Sequence, residues 1–433
     1  MKFEKISVRL FPERGLQSIR YPPDAPPKHI VFKHPISGEM LYYRQLGPIY
    51  GENSAPKHWE NTLFGFLTEC GENGCGLVRG KNEPCVLSHH TRELTVIVYV
   101  DDILVDGAEG DIKWFFGKLD SRFDCKEEEW LTPESPLDFL GIDIQQDEQG
   151  IYLSMGNYVE KMLRVMNMAG CKPRNTPIVS EITNMEPLDE QLRKLFMTGV
   201  GCVGWLVNTA RPDASLAHSR ISQHLAKPTV GAWEALQHLM RYFQGTKNAC
   251  IFQPYGSNED GHGWSFFSDS DFAGNPSTEN KRRSQNGFVA MVGNAPISWY
   301  SKVASSAFAH PDIGEAHADI SVGAAEVYAA ANATLEMLSM SYMISEMGEI
   351  PFPKPMVLQM DNTTAEIFAN NTAARTKLKH IDVRQNWVQC LRDSSIVIPK
   401  HVPSKENLAD LFTKILDGPT FYNLSRQILL YRE

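Results

Sequence analysis

The chain is 433 residues long, enough for two or three domains, and its 42% hydrophobic content is that of a globular protein with a sizeable core. A net charge of −10 argues against nucleic-acid binding, since phosphate contacts usually need a basic surface, but a site holding metal ions is itself a cluster of acids and local basic patches can coexist with a negative total. Eight cysteines without Cys-x-x-Cys spacing exclude a disulfide framework and fit a reducing compartment, and Cys85 with His89 and His90 lacks the second ligand pair of a zinc site. No stretch reaches the ~18 apolar residues of a membrane span. Met1-Lys2-Phe3-Glu4-Lys5 has no signal-peptide core, so an intracellular place (cytoplasm, nucleus or both) and no membrane partner are expected.

Residues 1–45 read as Pro-rich and irregular, and residues 46–67 as a helix around Trp59, Leu63 and Leu67. Residues 85–88 read as a strand. The next stretch draws attention. Thr95-Val96-Ile97-Val98-Tyr99-Val100 enters Asp101-Asp102, and Ile103-Leu104-Val105-Asp106-Gly107 leaves it, which predicts a β-hairpin with two carboxylates at its tip. Apolar residues at successive positions of both arms predict burial on both faces. Singly, such acids are ordinary turn residues; at the end of buried arms they call for a cation or a partner, and a divalent metal for phosphate chemistry is the sharper reading. Residues 112–123 form a predicted amphipathic helix with Trp114, Phe115, Leu119 and Phe123 near one face. Residues 137–145 and 150–153 suggest a second hairpin, 157–168 a helix, and Thr176-Pro177-Ile178 the start of an extended connection. Residues 188–245 are mostly helical, interrupted at Arg211-Pro212-Asp213. Residues 247–263, with Pro254, Gly256, Ser257, Asn258, Gly261 and Gly263, are the best candidate domain boundary.

The remainder reads as an α/β domain. Strands are expected at 263–269, 287–292 and 295–300, the last two joined at Gly293-Asn294. A long helix over 316–347 follows, then a strand at 355–361, helices at 363–370 and 378–393, a strand at 395–402 and a final helix at 406–416 with Ser404 as N-cap. Asp269 and Asp361 fall at strand ends, where loops converge and sites form. Glu326 lies in line with Val322, Ala330 and Ala333 on the long helix, and Asp410 among Leu408, Ala409, Leu411 and Phe412. Each acid alone could be a turn, cap or solvated residue. Four carboxylates converging on one spot cannot all stay ionised without cations. Two Mg²⁺ ions ~4 Å apart would satisfy them and clamp the attacking and leaving oxygens of a phosphodiester.

Several segments follow one another in a known order: Ile49-Tyr50-Gly51 with Ala55-Pro56-Lys57-His58-Trp59, then Tyr99-Val100-Asp101-Asp102, Phe139-Leu140-Gly141-Ile142 and Arg211-Pro212-Asp213. Arg241-Tyr242-Phe243-Gln244-Gly245-Thr246, Ser268-Asp269-Ser270-Asp271-Phe272-Ala273-Gly274, Pro296-Ile297-Ser298-Trp299, Ala325-Glu326, Asp361-Asn362, Lys379-His380-Ile381-Asp382 and Ala409-Asp410-Leu411-Phe412-Thr413-Lys414 complete it. Over residues 40–416 the chain resembles the Pol polyprotein of copia-type LTR retrotransposons, from the middle of the reverse transcriptase through the RNase H domain.

That resemblance implies an α/β protein: an α+β palm and thumb remnant followed by an RNase H-like α/β domain with a mixed five-stranded sheet. The implied domains are a partial reverse transcriptase (1–180), a helical thumb or connection (181–250), the RNase H-like domain (262–418) and a C-terminal tail (419–433). Asp269, Glu326, Asp361 and Asp410 would be catalytic metal ligands for two Mg²⁺ or Mn²⁺ ions, cutting the RNA strand of an RNA–DNA hybrid to leave a 3′-hydroxyl. Asp269 is preferred to Asp271 because it sits directly at the expected strand end. Asp101 and Asp102 would be the polymerase hairpin carboxylates. Lys281, Arg282 and Arg283, and Lys377, Lys379, His380 and Arg384, would hold the backbone of a hybrid or other nucleic acid, recognised by shape. Association with other Pol-derived chains is a further implication.

The chain also departs from the pattern. Before residue 93 its sole aspartate is Asp24, between prolines, so the fingers and first palm motif are expected to be missing and polymerase activity of this chain alone is not expected. Ala324 replaces a family acid, no histidine follows Pro403, and residues 305–319 look longer than usual. The alternative is a decayed or repurposed fragment that binds nucleic acid or a partner without catalysis.

Overall fold

The computed structural model describes residues 5–10, 28–33, 40–45, 52–257, 263–272, 283–304, 308–310, 314–316, 322–347, 352–361 and 379–432. The chain divides into two compact units, Lys2–Leu140 with Glu346–Gly348, and Gly141–Ser345 with Glu349–Glu433.

The first unit contains β1 (Lys5–Leu10), β2 (Lys28–Lys33), β3 (Met40–Gln45), α1 (Ala55–Thr68), β4 (Val78–Arg79), β5 (Val86–Ser88), β6 (Leu94–Tyr99), β7 (Asp102–Gly107), α2 (Glu109–Asp120), β8 (Glu129–Trp130) and β9 (Leu137–Phe139). Its main sheet runs β4-β5-β6-β7-β1-β8, and β2 pairs with β3. Residues 1–45 are therefore not irregular throughout. β1 pairs with β7, far along the chain, and the prolines that suggested disorder of pattern lie between the strands. In α1, Trp59, Leu63, Phe66 and Leu67 recur at helical spacing and are buried. With Phe115, Phe116 and Leu119 of α2 they cover Leu94, Val96, Val98, Ile103 and Val105 of the hairpin.

The hairpin is present, with Tyr99 opposite Asp102, but its burial is one-sided. Residues alternate between buried and half-buried, and Tyr99 is 51% exposed. The apolar side chains of the second face suit a pleated strand without needing a second covering layer.

The second unit contains β10 (Ile142–Gln146), β11 (Gly150–Ser154), α3 (Gly156–Val165), α4 (Glu190–Thr209), α5 (Ser215–Ser222), α6 (Val230–Gly245), β12 (Ala249–Pro254), β13 (Trp264–Asp271), β14 (Gln285–Val292), β15 (Ala295–Val303), β16 (Phe308–His310), β17 (Gly314–Ala316), α7 (Val322–Met347), β18 (Met356–Met360), α8 (Lys379–Asp393), β19 (Val397–His401), α9 (Gly418–Ser425) and β20 (Leu430–Tyr431). Part of the stretch expected to link domains is β12, which pairs with β11 and β20. The long helix, expected from residue 316, begins at Val322, and Ala316 instead ends a short strand over 314–316 that pairs with 308–310. The short helix expected at 363–370 lies outside the described residues. The segment after 418 is folded in, with Phe421, Leu424, Ile428 and Leu429 buried.

The mixed five-stranded sheet has the order β15-β14-β13-β18-β19, antiparallel among β13, β14 and β15 and parallel from β13 through β18 to β19. Every residue of β14 is buried, as expected of a central strand covered on both faces. Phe288 and Ala290 join Phe266 and Leu358 beneath Ala330, Ala333 and Met337 of α7. Val289 and Met291 join Phe267 in a core shared with α4, α5 and α6. The Trp299 indole donates to the Val207 carbonyl at 2.9 Å, fastening β15 to α4. Within that helical layer, Arg211-Pro212-Asp213 is more than a break. The buried Arg211 guanidinium makes two bonds to Asp213, of 3.0 and 2.7 Å, and one of 3.0 Å to the Thr246 carbonyl, while the Tyr242 hydroxyl donates to the same carboxylate. Among the described residues no helix is long and apolar enough to cross a membrane.

Candidate metal centre

β13 and β18 run side by side, with Phe266 opposite Leu358 and Phe267 opposite Gln359. Continuing that register by two residues sets Asp269 level with Asp361, which directly follows Met360 at the end of β18. Two acids thus lie level on neighbouring strands, Asp361 at the end of β18, where loops converge, and Asp269 two residues before the end of β13. The third comes from a 3-10 turn, Leu408–Phe412, and not from the α-helix expected over 406–416. Its cap is Asn407 rather than Ser404. The Asn407 carboxamide oxygen accepts the Ala409 N–H at 3.1 Å, and its amide donates to the Ser268 carbonyl at 3.2 Å, tying the turn to β13.

The turn also presses on β14 at Gly287, the residue paired with Asp269. A Cβ at Gly287 would lie 2.7 Å from Thr413 Cγ2, 2.8 Å from Phe412 Cβ and 3.0 Å from the Ala409 carbonyl oxygen, so only glycine admits this approach. As a result, one carboxylate oxygen from each of Asp269, Asp361 and Asp410 lies within 4.8 Å of the others. Glu326 is buried on α7 and accepts the Ser270 backbone N–H.

Charge compensation comes from two residues that sequence reasoning did not single out. Lys414 Nζ lies 2.7 Å from Asp410 Oδ1, 3.3 Å from Asp269 Oδ1 and 3.9 Å from Asp361 Oδ2. The Thr413 hydroxyl donates to Asp269 Oδ2. The signal for Lys414 was its place four residues after Asp410, where the two side chains share a face of a helical turn. Burial pushes the Glu326 carboxyl up to about 9, helped by Asp269 and Asp361. Burial also raises Asp410 to about 6, with Asp269 adding and Lys414 opposing. Asp269 is raised by burial against the pull of Lys414 and Thr413. Burial disfavours the Lys414 ammonium, but Asp269 and Asp410 more than offset it and hold its pKa above the usual lysine range.

Asp271 is still within β13, opposite Gln285, so the strand runs two residues past Asp269 and does not end there as expected. It nevertheless stands outside the three-acid group, 3.9 Å from Arg220, which also pairs with Glu181 at 3.3 Å. Asp101 and Asp102 sit half-buried at the hairpin tip, both raised by burial, with Asp102 adding for the first and Asp138 for the second. The Trp59 indole donates to the Val100 carbonyl at 2.8 Å and pins that tip. The strand beside Asp102 is β1, Lys-Ile-Ser-Val-Arg-Leu, which carries no acid. Of the expected nucleic-acid contacts, Lys281, Arg282 and Lys377 lie outside the described residues. Arg283 is half-buried just before β14, and Lys379, His380 and Arg384 lie on α8.

The profile of the family described as "Reverse transcriptase (RNA-dependent DNA polymerase)" matches residues 38–180. The chain is 31% identical over 389 residues to the "Retrovirus-related Pol polyprotein from transposon RE2" of Arabidopsis thaliana, covering 88% of this chain and 24% of that protein. It is 34% identical over 215 residues to an uncharacterised mitochondrial protein of the same plant, covering 48% of this chain and 82% of that one. Among solved structures, a foamy viral protease-reverse transcriptase in complex with an RNA/DNA hybrid matches with a TM-score of 0.51 at 13% identity, over 96% of this chain and 45% of that one, a likeness of fold. The chain thus spans about a quarter of the Pol polyprotein it matches. Motif order, sheet topology and these relatives agree: the chain belongs to the copia-type retrotransposon Pol family.

Proposed function

We propose that the second unit hydrolyses the RNA strand of an RNA–DNA hybrid. The observation that carries this reading is the convergence of Asp269 in β13, Asp361 just after β18 and Asp410 on the 3-10 turn, with one oxygen of each within 4.8 Å of the others, while Glu326 is buried on α7 and feels the charge of Asp269 and Asp361 without joining that three-acid group. An all-carboxylate donor set of this spacing fits hard divalent cations, so Asp269, Asp361 and Asp410, with Glu326, would hold Mg²⁺ or Mn²⁺. Bound ions of this kind supply a nucleophilic water at neutral pH and offset the charge of the phosphodiester. The chain's own residues do the rest. Asn407 and Gly287 fix the turn that presents Asp410. Thr413 orients Asp269 by its hydroxyl. We assign Arg283, with Lys379, His380 and Arg384 on α8, to the sugar-phosphate backbone.

The hairpin carboxylates Asp101 and Asp102 have no acid on the adjoining strand, so the chemistry is assigned to the second unit and not to polymerisation. One observation favours the second reading, a repurposed nucleic-acid-binding fragment: the Lys414 ammonium lies within ion-pair distance of the clustered acids and offsets part of their charge. Incubating the full chain with a labelled hybrid and Mg²⁺ or Mn²⁺ separates the two. Cleavage that is lost in Asp361→Asn is expected; binding of hybrid without cleavage would establish the repurposed form.

A further inference from the structure

A two-metal site needs only the acids, yet Lys414 lies among them. Its ammonium approaches all three clustered carboxylates, at 2.7 Å from Asp410, 3.3 Å from Asp269 and 3.9 Å from Asp361. It therefore stands among the three carboxylates that a shared cation would use. The side chain is 36% exposed, so its flexible stem has solvent to swing into. An ammonium and a divalent ion on the same oxygens repel strongly where water is largely excluded. Thr413 holds the other oxygen of Asp269 as a neutral donor, so Lys414 is the group that has to move.

We propose that Lys414 is an internal counter-ion that competes with the divalent cation: it neutralises the cluster in the metal-free chain and withdraws to solvent as the metal enters. The proposal rests on the cluster being a metal site. It makes Lys414 a positioning residue that sets the affinity for metal, and it explains how buried acids are accommodated before any metal arrives.

The test uses the full chain and Mn²⁺ alone, with bound and free ion distinguished by paramagnetic resonance and thermal melting followed in parallel. Lys414→Met and Lys414→Gln should each bind Mn²⁺ roughly tenfold tighter or more than wild type, one nearby positive charge having been removed. Each should also melt lower than wild type without metal and gain more from Mn²⁺. A variant that folds only when Mn²⁺ is added supports the proposal, and one that stays unfolded with Mn²⁺ overturns it. Equal or weaker binding by both folded variants overturns it too. Asp361→Asn separates the two levels. If wild type binds Mn²⁺ and Asp361→Asn does not, while Lys414→Met binds as wild type does, the competition alone is wrong. If Asp361→Asn binds as well as wild type, or nothing binds, the metal reading falls and this proposal with it.

Discussion

Gly287→Ala puts the construction of the centre to a direct trial. The added methyl would meet Thr413 Cγ2 at 2.7 Å, Phe412 Cβ at 2.8 Å and the Ala409 carbonyl oxygen at 3.0 Å. None of these is the free end of a long side chain, so the 3-10 turn itself has to give. Overpacking of this kind costs ~1–3 kcal/mol, and the lower entropy of the unfolded chain offsets about 0.4–1 kcal/mol, leaving a net loss of roughly 0–2.6 kcal/mol. The catalytic loss should be larger. The turn carries Asp410, and Thr413 and Lys414 follow it, so a shift of a few tenths of an ångström opens their contacts to Asp269. Misplacement by ~1 Å can cost on the order of a hundredfold in rate. Denaturant unfolding of the second unit gives the first quantity and hybrid cleavage the second. A Gly287→Ala protein as stable and as fast as wild type would refute the claim that this close approach sets the site.

Two further outcomes follow from buried charge. Arg211→Met removes both guanidinium bonds from the Asp213 carboxylate, whose side chain has no exposed surface and which keeps the bond from the Tyr242 hydroxyl, and should destabilise the second unit by ~3–5 kcal/mol in urea unfolding. Arg211→Met with Asp213→Leu should recover much of that; a single variant as stable as wild type contradicts the network. Glu326 titrates at about 9 in the folded, metal-free chain against an ordinary 4.5, chiefly through burial. Between those values the folded state binds more protons than the unfolded one, so stability should fall as pH rises through that window. Glu326→Gln should flatten this slope in thermal melts, and an unchanged slope would assign it to other groups.

The local signals of the sequence carried the strands and hairpins well. The Asp101-Asp102 hairpin and the Gly293-Asn294 turn are both where alternation and turn residues put them. Asp269 and Asp361 were visible because apolar strands run straight into them. What stayed hidden depends on distant partners. β1 belongs to a sheet because it pairs with β7, which no local pattern among its prolines reveals. Leu408, Leu411 and Phe412 are all buried, so their spacing could not tell a 3-10 turn from an α-helix. Thr413 and Lys414 acquire meaning only when the fold brings Asp269 beside them. The hairpin's outer face misled for a simpler reason: β-branched residues suit strands whether or not a second layer covers them.

The central claim is that the acid cluster cleaves RNA in a hybrid. Its most direct test is single-turnover cleavage of a labelled RNA–DNA hybrid by the full chain in Mg²⁺ and in Mn²⁺, with wild type beside Asp361→Asn. The account predicts cleavage by wild type that leaves a 3′-hydroxyl, and a loss of roughly a hundredfold or more in the variant, the scale of losing a carboxylate that holds catalytic charge in place. A variant that cleaves at the wild-type rate would contradict it.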